Sequence, residues 1–278
     1  MLASFLLSLR EGLEAALILG IVLGVLLKLK QTKFNKTVWA GAGIAGLASL
    51  GIAIILNAVG MKFEGRGEAL FEGIAMLFAA GVLTWMIFWM HHSAGNLKQE
   101  IEEQTRGALH QNSKKALFTL AFLAVFREGI ELALFLLAVQ QTASPLQTLI
   151  GTIIGLGGAG TLGWLLFSST RTLNLRRFFM VTNVLLIIFA AGLVGLGVHE
   201  LNETGIIPSV VEHVWDINPI LSDKSEVGLL LKALVGYNGD PSATELFAYW
   251  VYLGGIVTYV LSRKNTAWTL VTEPKPAG

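Results

Sequence analysis

Four stretches of the sequence contain no Asp, Glu, Lys or Arg, and each is long enough to cross a lipid bilayer. An α-helix needs about 20 apolar residues to span the hydrocarbon core. Only 14% of all residues are charged, against about 25% in soluble proteins. The pattern therefore excludes an ordinary soluble fold and predicts an all-α membrane protein. The four stretches are residues 38–61, 73–97, 132–170 and 178–199.

We expect about seven transmembrane helices in a single transmembrane domain, residues 1–262. The first apolar run lacks the basic start of a signal peptide and is interrupted by Arg10 and Glu11, so it is expected to remain as a helix. Apolar residues on one face of 96–110 predict a surface helix, and residues 263–278 are expected to form a short tail. The seven helices are predicted near residues 2–27, 38–60, 68–90, 116–140, 146–168, 178–198 and 245–262.

The distribution of basic residues predicts the orientation. The connections between helices alternate between those rich and those poor in Lys and Arg, fourteen residues against four. Because basic connections stay on the cytoplasmic side, the N-terminus is expected outside and the C-terminal tail in the cytoplasm, with the protein in a bacterial-type plasma membrane. The net charge of +1 indicates no nucleic-acid partner, and the lack of cysteine excludes thiolate metal sites.

A motif recurs in the first and fourth predicted helices. The sequence REGLE at residues 10–14 returns as REGIE at 127–131, and FAAG at 78–81 returns at 189–192. Each unit, 1–95 and 116–200, holds three helices, so the second unit is expected upside down relative to the first. Inverted repeats of this kind place the substrate site near the membrane midplane. The acidic loop 199–244 is expected outside, and helix seven, 245–262, lies outside the repeat.

The two motifs place six charged side chains near the bilayer centre. Each such charge costs about 2.5–3.5 kcal/mol or more, so intramembrane charge is usually functional. The two glutamates of each motif are three residues apart and share one helix face. We therefore expect a cation site that the arginines neutralise when it is empty and leave when a cation binds. The expected ligands are Glu11, Glu14, Glu128 and Glu131, and the expected charge-switching residues are Arg10 and Arg127.

The ligand type narrows the cation. Carboxylates suit hard ions, whereas copper(I) and zinc prefer sulfur or imidazole. The residues alone leave Fe(III), Fe(II), Mn(II), Mg(II) and Ca(II) open. A passive structural role fits poorly, because buried ion pairs stabilise weakly compared with apolar packing. An intramembrane di-iron enzyme would need Glu-x-x-His repeats, which none of the five histidines completes.

The doubled motif resembles that of the oxidase-dependent iron permeases, the high-affinity iron uptake family of fungi and bacteria. Two further segments, EALFEG at 68–73 and LTWMIFWM at 83–90, resemble the third helix of bacterial members. The resemblance covers residues 1 to about 262 and implies a permease, not an enzyme, with iron as its substrate and no cofactor. It implies that the motif glutamates bind iron, which we expect to be ferric, and that an extracytoplasmic oxidase or iron-binding protein supplies it. A carrier for manganese or another hard divalent ion is the alternative.

Two acidic residues outside the motifs are further candidate metal ligands. Glu68 and Glu72 stand one turn apart where the third helix begins, and we expect them to pass a cation inward. Trp85 and Met86 are expected to contribute to an interfacial aromatic belt and to packing. Small residues four apart, as in 20–24 and 151–155, predict helix-packing faces within one subunit or between the subunits of an oligomer.

Overall fold

The computed structural model describes residues 1–60, 64–93, 97–110, 113–140, 144–168 and 175–272, and within these ranges it contains helices and no strand. The prediction of an all-α protein is confirmed. Seven of the helices have 24 residues or more, and two are shorter. The helices are α1 Leu2–Lys28, α2 Asn35–Gly60, α3 Arg66–Ser93, α4 Leu97–His110, α5 Lys114–Gln140, α6 Pro145–Ser168, α7 Leu175–Glu203, α8 Glu226–Val235 and α9 Ala243–Thr272, with a short 3-10 helix at Thr32–Phe34.

Four helical segments are long and apolar enough to cross a membrane by length and composition. They are Thr32–Gly60, Arg66–Phe88, Pro145–Leu165 and Thr182–Glu203. The helices α1 and α5 have 27 residues each, but each carries one arginine and two glutamates in its apolar run. Large apolar side chains on the surface, such as Leu47 and Trp164, face outward from the helices. These features describe a multi-pass membrane protein.

The long helices pack in pairs. The most extensive contacts join α1 with α6, α2 with α5 and α3 with α7, and α1 also contacts α5. The set is symmetric. When α1, α2 and α3 are exchanged with α5, α6 and α7, respectively, the same pairs result. The pairing is the one expected of two equivalent three-helix units, and it brings the two motif helices side by side.

Small residues bring the paired helices close together. A Cβ atom on Gly12 of α1 would lie 2.6 Å from the Cβ of Ala159 in α6, and one on Gly155 would lie 2.5 Å from the carbonyl oxygen of Phe5. In the equivalent contact, Gly129 of α5 meets Ser49 of α2 with no room for a side chain. The two motif glycines therefore make matching contacts in the two units, and the face at 151–155 packs within one subunit.

The segment 199–244 differs from the acidic loop that the sequence predicts. Helix α7 continues to Glu203, and residues 226–235 form α8, which begins at the side-chain cap of Ser225 and ends at Gly236 with a φ of 71°. Ala233 of α8 is buried in the core that also contains Met86 and Phe135. The mainly apolar segment 227–235 explains the difference, because its apolar side chains can pack into the helix bundle.

The last helix also differs from the prediction. Helix α9 does not end near residue 262 but continues to Thr272, so most of the predicted tail, 263–278, is helical. No Gly or Pro interrupts the chain between residues 256 and 273, and Pro274 disfavours helical geometry at the residue before it. Residues 273–278 lie outside the described part of the chain. The predicted surface helix is confirmed as α4, whose Ile101 and Ala108 pack on Val22 and Leu26 of α1.

Candidate metal site

Three motif glutamates come together between α1 and α5. One carboxylate oxygen each from Glu11, Glu128 and Glu131 lies within 4.8 Å of the other two, and all three residues are buried. Their side chains meet because α1 packs on α5 and because glutamates three apart share a helix face. We call these three residues the carboxylate cluster. It is the one group of three or more potential metal-binding His, Asp or Glu side chains among the described residues.

Arg10 occupies the α1 side of the carboxylate cluster. Its Nη1 donates to Glu11 Oε1 at 2.6 Å and also lies 2.9 Å from Met86 Sδ, while Nη2 lies 2.8 Å from Glu14 Oε1. The residue has no exposed surface. The buried guanidinium thus joins both glutamates of its own motif to a methionine of α3.

Arg127 occupies the equivalent position on α5 but has a different environment. Its Nε donates to Glu131 Oε1 at 2.9 Å, and its guanidinium carbon lies 5.3 Å from the ring centre of Trp85. About a third of its side chain, 32%, is exposed. The two arginines therefore differ in burial although their motifs match, and consecutive residues of α3 contact them.

The carboxylate cluster has capacity for further ligation. The Oε2 atoms of Glu11, Glu128 and Glu131 are buried and have no hydrogen-bond partner among the described residues. A buried carboxylate oxygen without a partner is energetically costly, and it is also the kind of donor that hard metal cations prefer. The arrangement therefore has the chemistry of a small oxygen-donor cation site.

A cavity of about 260 Å³ adjoins the carboxylate cluster between α1, α2, α5 and α6. Glu11 and Glu128 lie in its wall, and the rest of the lining is mainly apolar, including Leu50 and Leu136. The motif glycines Gly12 and Gly129 also line it, where a larger side chain would reduce the space. Glu11 and Glu128 therefore border an open cavity between the α1–α6 and α2–α5 pairs.

The other predicted ligands lie elsewhere. Glu14 contacts Arg10 and is outside the three-oxygen group. Glu72 is half-buried near the start of α3. The next residue, Gly73, packs against α7, where a Cβ added to Gly73 would lie 3.2 Å from the Cβ of Glu200. Glu72 is 14 residues before Met86, or about 21 Å along the helix axis. Glu68, one turn earlier, is exposed. The structure thus separates this acidic pair from the carboxylate cluster.

Sequence reasoning missed two contacts of the site. Met86 was expected to pack and Trp85 to belong to an aromatic belt, and the structure places them against Arg10 and Arg127. No motif identifies these two residues, because many residue types on the face of a neighbouring helix could contact the arginines. The only signal was their place in a segment that resembles the third helix of the permeases.

Seven long helices around a buried group of carboxylates define the chain as a multi-pass α-helical membrane protein with charged residues at its centre. The chain belongs to the iron permease FTR1 family, whose model matches residues 1–268.

Similar proteins cover almost the whole chain. The ferrous iron permease EfeU of Escherichia coli O6:K15:H31 is 34% identical over 264 residues, which are 94% of this chain and 96% of that protein. The ferrous iron permease EfeU of Shigella sonnei is 34% identical over 91% of this chain and 92% of its own. The protein of that name from Yersinia pestis is 31% identical over 99% of each chain. No solved structure matches the chain.

Proposed function

We propose that this protein carries ferrous iron across the plasma membrane and that the carboxylate cluster binds the ion during transit. The observation that carries the proposal is the meeting of three buried carboxylates from two equivalent helices, with oxygens within 4.8 Å of one another. Membership of the iron permease family supports iron as the ion. The remaining ligands would come from water or from the neighbouring Glu14.

The names of the relatives and the charge of the motif residues both favour the ferrous state. The sequence favoured the ferric ion, whereas the three relatives are named ferrous iron permeases. Four glutamates and two arginines give the motif residues a summed charge of −2. A divalent ion makes the group neutral, and a trivalent ion would leave +1. Because uncompensated charge at the bilayer centre is costly, the divalent ion fits better.

The arginines act as counter-ions of the empty site in this proposal. Arg10 pairs with Glu11 and Glu14, and Arg127 pairs with Glu131. An incoming cation competes with the guanidinium groups for the same oxygens, so the arginines turn away when it binds and return when it leaves. This exchange gives the carboxylate oxygens that pair with the arginines a positively charged partner in both states.

The membrane potential is sufficient to drive uptake of a divalent ion. Moving two positive charges through 100 mV, negative inside, yields about 4.6 kcal/mol. That free energy corresponds to about three decades of concentration. The chain needs no nucleotide hydrolysis for accumulation of this size.

The proposed orientation places the acidic residues around α7 and α3 on the outer side. With the N-terminus outside and the C-terminus in the cytoplasm, Glu68, Glu72 and Glu200 lie where a cation approaches from outside. We propose that they attract the ion and that an extracytoplasmic iron-binding protein delivers it. We also propose that residues 1–262 form the permease domain, with inverted units 1–95 and 116–200. The matching helix pairs of the two units support this arrangement.

The test is uptake of radioactive ferrous iron into liposomes with an inside-negative potential. We expect Glu131→Gln to abolish uptake, because it keeps the size of the side chain and removes a charge from the carboxylate cluster. Glu100→Gln, on the exposed face of α4, is the control and should transport like the wild type. Normal uptake by Glu131→Gln at equal protein density would refute the role of the cluster.

A carrier for manganese is the second candidate, because the carboxylate cluster offers only oxygen donors and oxygen donors suit Mn(II) as well. Equal inhibition of iron uptake by equimolar manganese and by unlabelled iron would favour this function. Weak inhibition by manganese is expected of an iron permease.

A further inference from the structure

One buried sulfur atom contacts the charged centre of the protein. Met86 of α3 has no exposed surface, and its Sδ lies 2.9 Å from Nη1 of Arg10. The same nitrogen lies 2.6 Å from Oε1 of Glu11. A thioether and a carboxylate of the cluster thus both contact one positively charged group.

This arrangement has a consequence for any cation that displaces Arg10. A metal ion that takes the place of Nη1 beside Glu11 has the sulfur of Met86 as a second neighbour. Both donor atoms already lie within 3 Å of that position, so small side-chain shifts bring them to bonding distance. The long, unbranched methionine side chain adapts easily to such shifts.

Thioether and carboxylate donors differ in the cations they favour. Soft donors favour later and softer transition metals, whereas Mg(II), Ca(II) and Mn(II) prefer oxygen. Ferrous iron follows manganese in the order of increasing affinity for mixed donor sets. A single sulfur beside carboxylates therefore raises the affinity for Fe(II) relative to Mn(II), although both ions have the same charge.

We propose that Met86 is a specificity-determining residue whose thioether binds ferrous iron beside Glu11 once Arg10 has moved away. The inference rests on the proposed function, since it concerns the same ion at the same cluster. It assigns the discrimination between iron and manganese to one atom of α3. The carboxylates supply the charge that holds any divalent cation, and Met86 supplies the preference.

A matched control lies on the same helix. Met76 is also buried, with 1% of its surface exposed, and packs in the apolar core with Met86, ten residues earlier in α3. Replacing methionine by leucine conserves volume and costs little stability in a core. Met86→Leu and Met76→Leu thus remove one thioether each, and only the first removes a thioether that contacts Arg10.

The experiment measures binding and uptake of Fe(II) and Mn(II) by purified full-length protein, kept reduced, with X-ray absorption at the iron edge as a structural readout. Met86→Leu should weaken iron binding by about tenfold, equivalent to about 1.4 kcal/mol, and leave manganese binding unchanged. The iron–sulfur scattering shell of the wild type should vanish. Met76→Leu should keep the wild-type preference and the sulfur shell.

Three results would overturn the inference. Unchanged affinities for both iron and manganese in Met86→Leu would show that the sulfur has no part in selection. An equal loss of both ions would show that Met86 only positions Arg10. A wild-type X-ray absorption spectrum without an iron–sulfur scattering shell would exclude a bond between iron and the Met86 sulfur directly. The proposed function fails separately, if Glu131→Gln transports iron normally or the wild type binds neither ion.

Discussion

At the scale of single residues, the two motif arginines have different environments. Arg10 is fully buried and contacts Glu11, Glu14 and Met86, whereas Arg127 is one-third exposed and stacks near Trp85. Such a difference is expected if the protein alternates between two conformations. In each conformation a different unit would enclose its own arginine, and the structure represents one of the two. In the proposed function, Arg10 is therefore the more enclosed of the two counter-ions.

Removing Arg10 should strengthen cation binding and slow transport. Arg10→Ala changes the summed charge of the motif residues from −2 to −3, so the site should bind ferrous iron at least about tenfold more tightly. Release should become slower, because no guanidinium returns to Glu11 and Glu14 to displace the ion. Direct binding and liposome uptake, measured on the same preparation, test the two effects together.

Arg10→Lys provides the comparison for this prediction. It retains the positive charge but loses the planar group that holds two carboxylates at once, so iron should still bind and turnover should fall. If Arg10→Ala instead weakens iron binding in the folded protein, the arginine organises the carboxylates, and its role as a competing counter-ion is refuted.

Part of the site could be predicted from the sequence. The spacing of the motifs predicted that all four motif glutamates would meet, because spacing fixes the helix face and the repeat relates the two helices. Three of them do: Glu11, Glu128 and Glu131. Glu14 bonds to Arg10 rather than joining them, a choice that depends on side-chain conformation and partner helices. Met86 belongs to no motif, and only the packing of α3 against α7 and α5 brings it to Arg10.

At the scale of helices, glycines set how closely the pairs approach. Gly129 of α5 lies against Ser49 of α2, and a Cβ there would overlap the serine side chain. Ser49 is itself buried and donates to the carbonyl oxygen of Ala45. The α2–α5 contact therefore leaves no room for a side chain at Gly129 itself.

Gly129→Ala should destabilise the protein by about 1–3 kcal/mol, the usual cost of overpacking. A fall in the melting temperature of the detergent-solubilised protein would measure it. Gly43→Ala on α2, where a Cβ meets nothing within 4 Å, is the control and should leave the melting temperature unchanged. Ser49→Gly should restore the stability of Gly129→Ala. A melting temperature unaffected by Gly129→Ala would show that the contact is looser than described.

The apolar runs of the sequence predicted most helix positions correctly, and the exceptions have physical causes. The predicted spans 38–60 and 146–168 lie within α2 and α6 almost to the residue. The short helix α8 was missed because its ten residues are too few to give a membrane-span signal. The extension of α9 was missed because the basic residues after 262 suggested an interface, although charge does not end a helix.

At the scale of the whole molecule, the pairing of helices joins the two units into one body. Every principal contact runs between the units: α1 with α6, α2 with α5 and α3 with α7. Each unit on its own would therefore expose most of its packing faces. This dependence explains why the charged motifs lie at the shared centre and not within either unit.

The orientation is testable because the chain has no cysteine. Single cysteines at two exposed positions, Lys33→Cys after α1 and Val210→Cys between α7 and α8, should be labelled from opposite sides of the membrane. A membrane-impermeant maleimide applied to intact spheroplasts should label Val210→Cys alone. Labelling of Lys33→Cys alone would mean that the N-terminus is in the cytoplasm.

The central claim is that the three buried carboxylates bind the transported ion. Anomalous scattering at the iron edge from crystals of the full chain soaked in ferrous iron tests it most directly. We expect one strong peak in contact with Glu11, Glu128 and Glu131, and its loss in Glu131→Gln. Iron found instead only at Glu68, Glu72 and Glu200, with the carboxylate cluster still paired to its arginines, would contradict the claim.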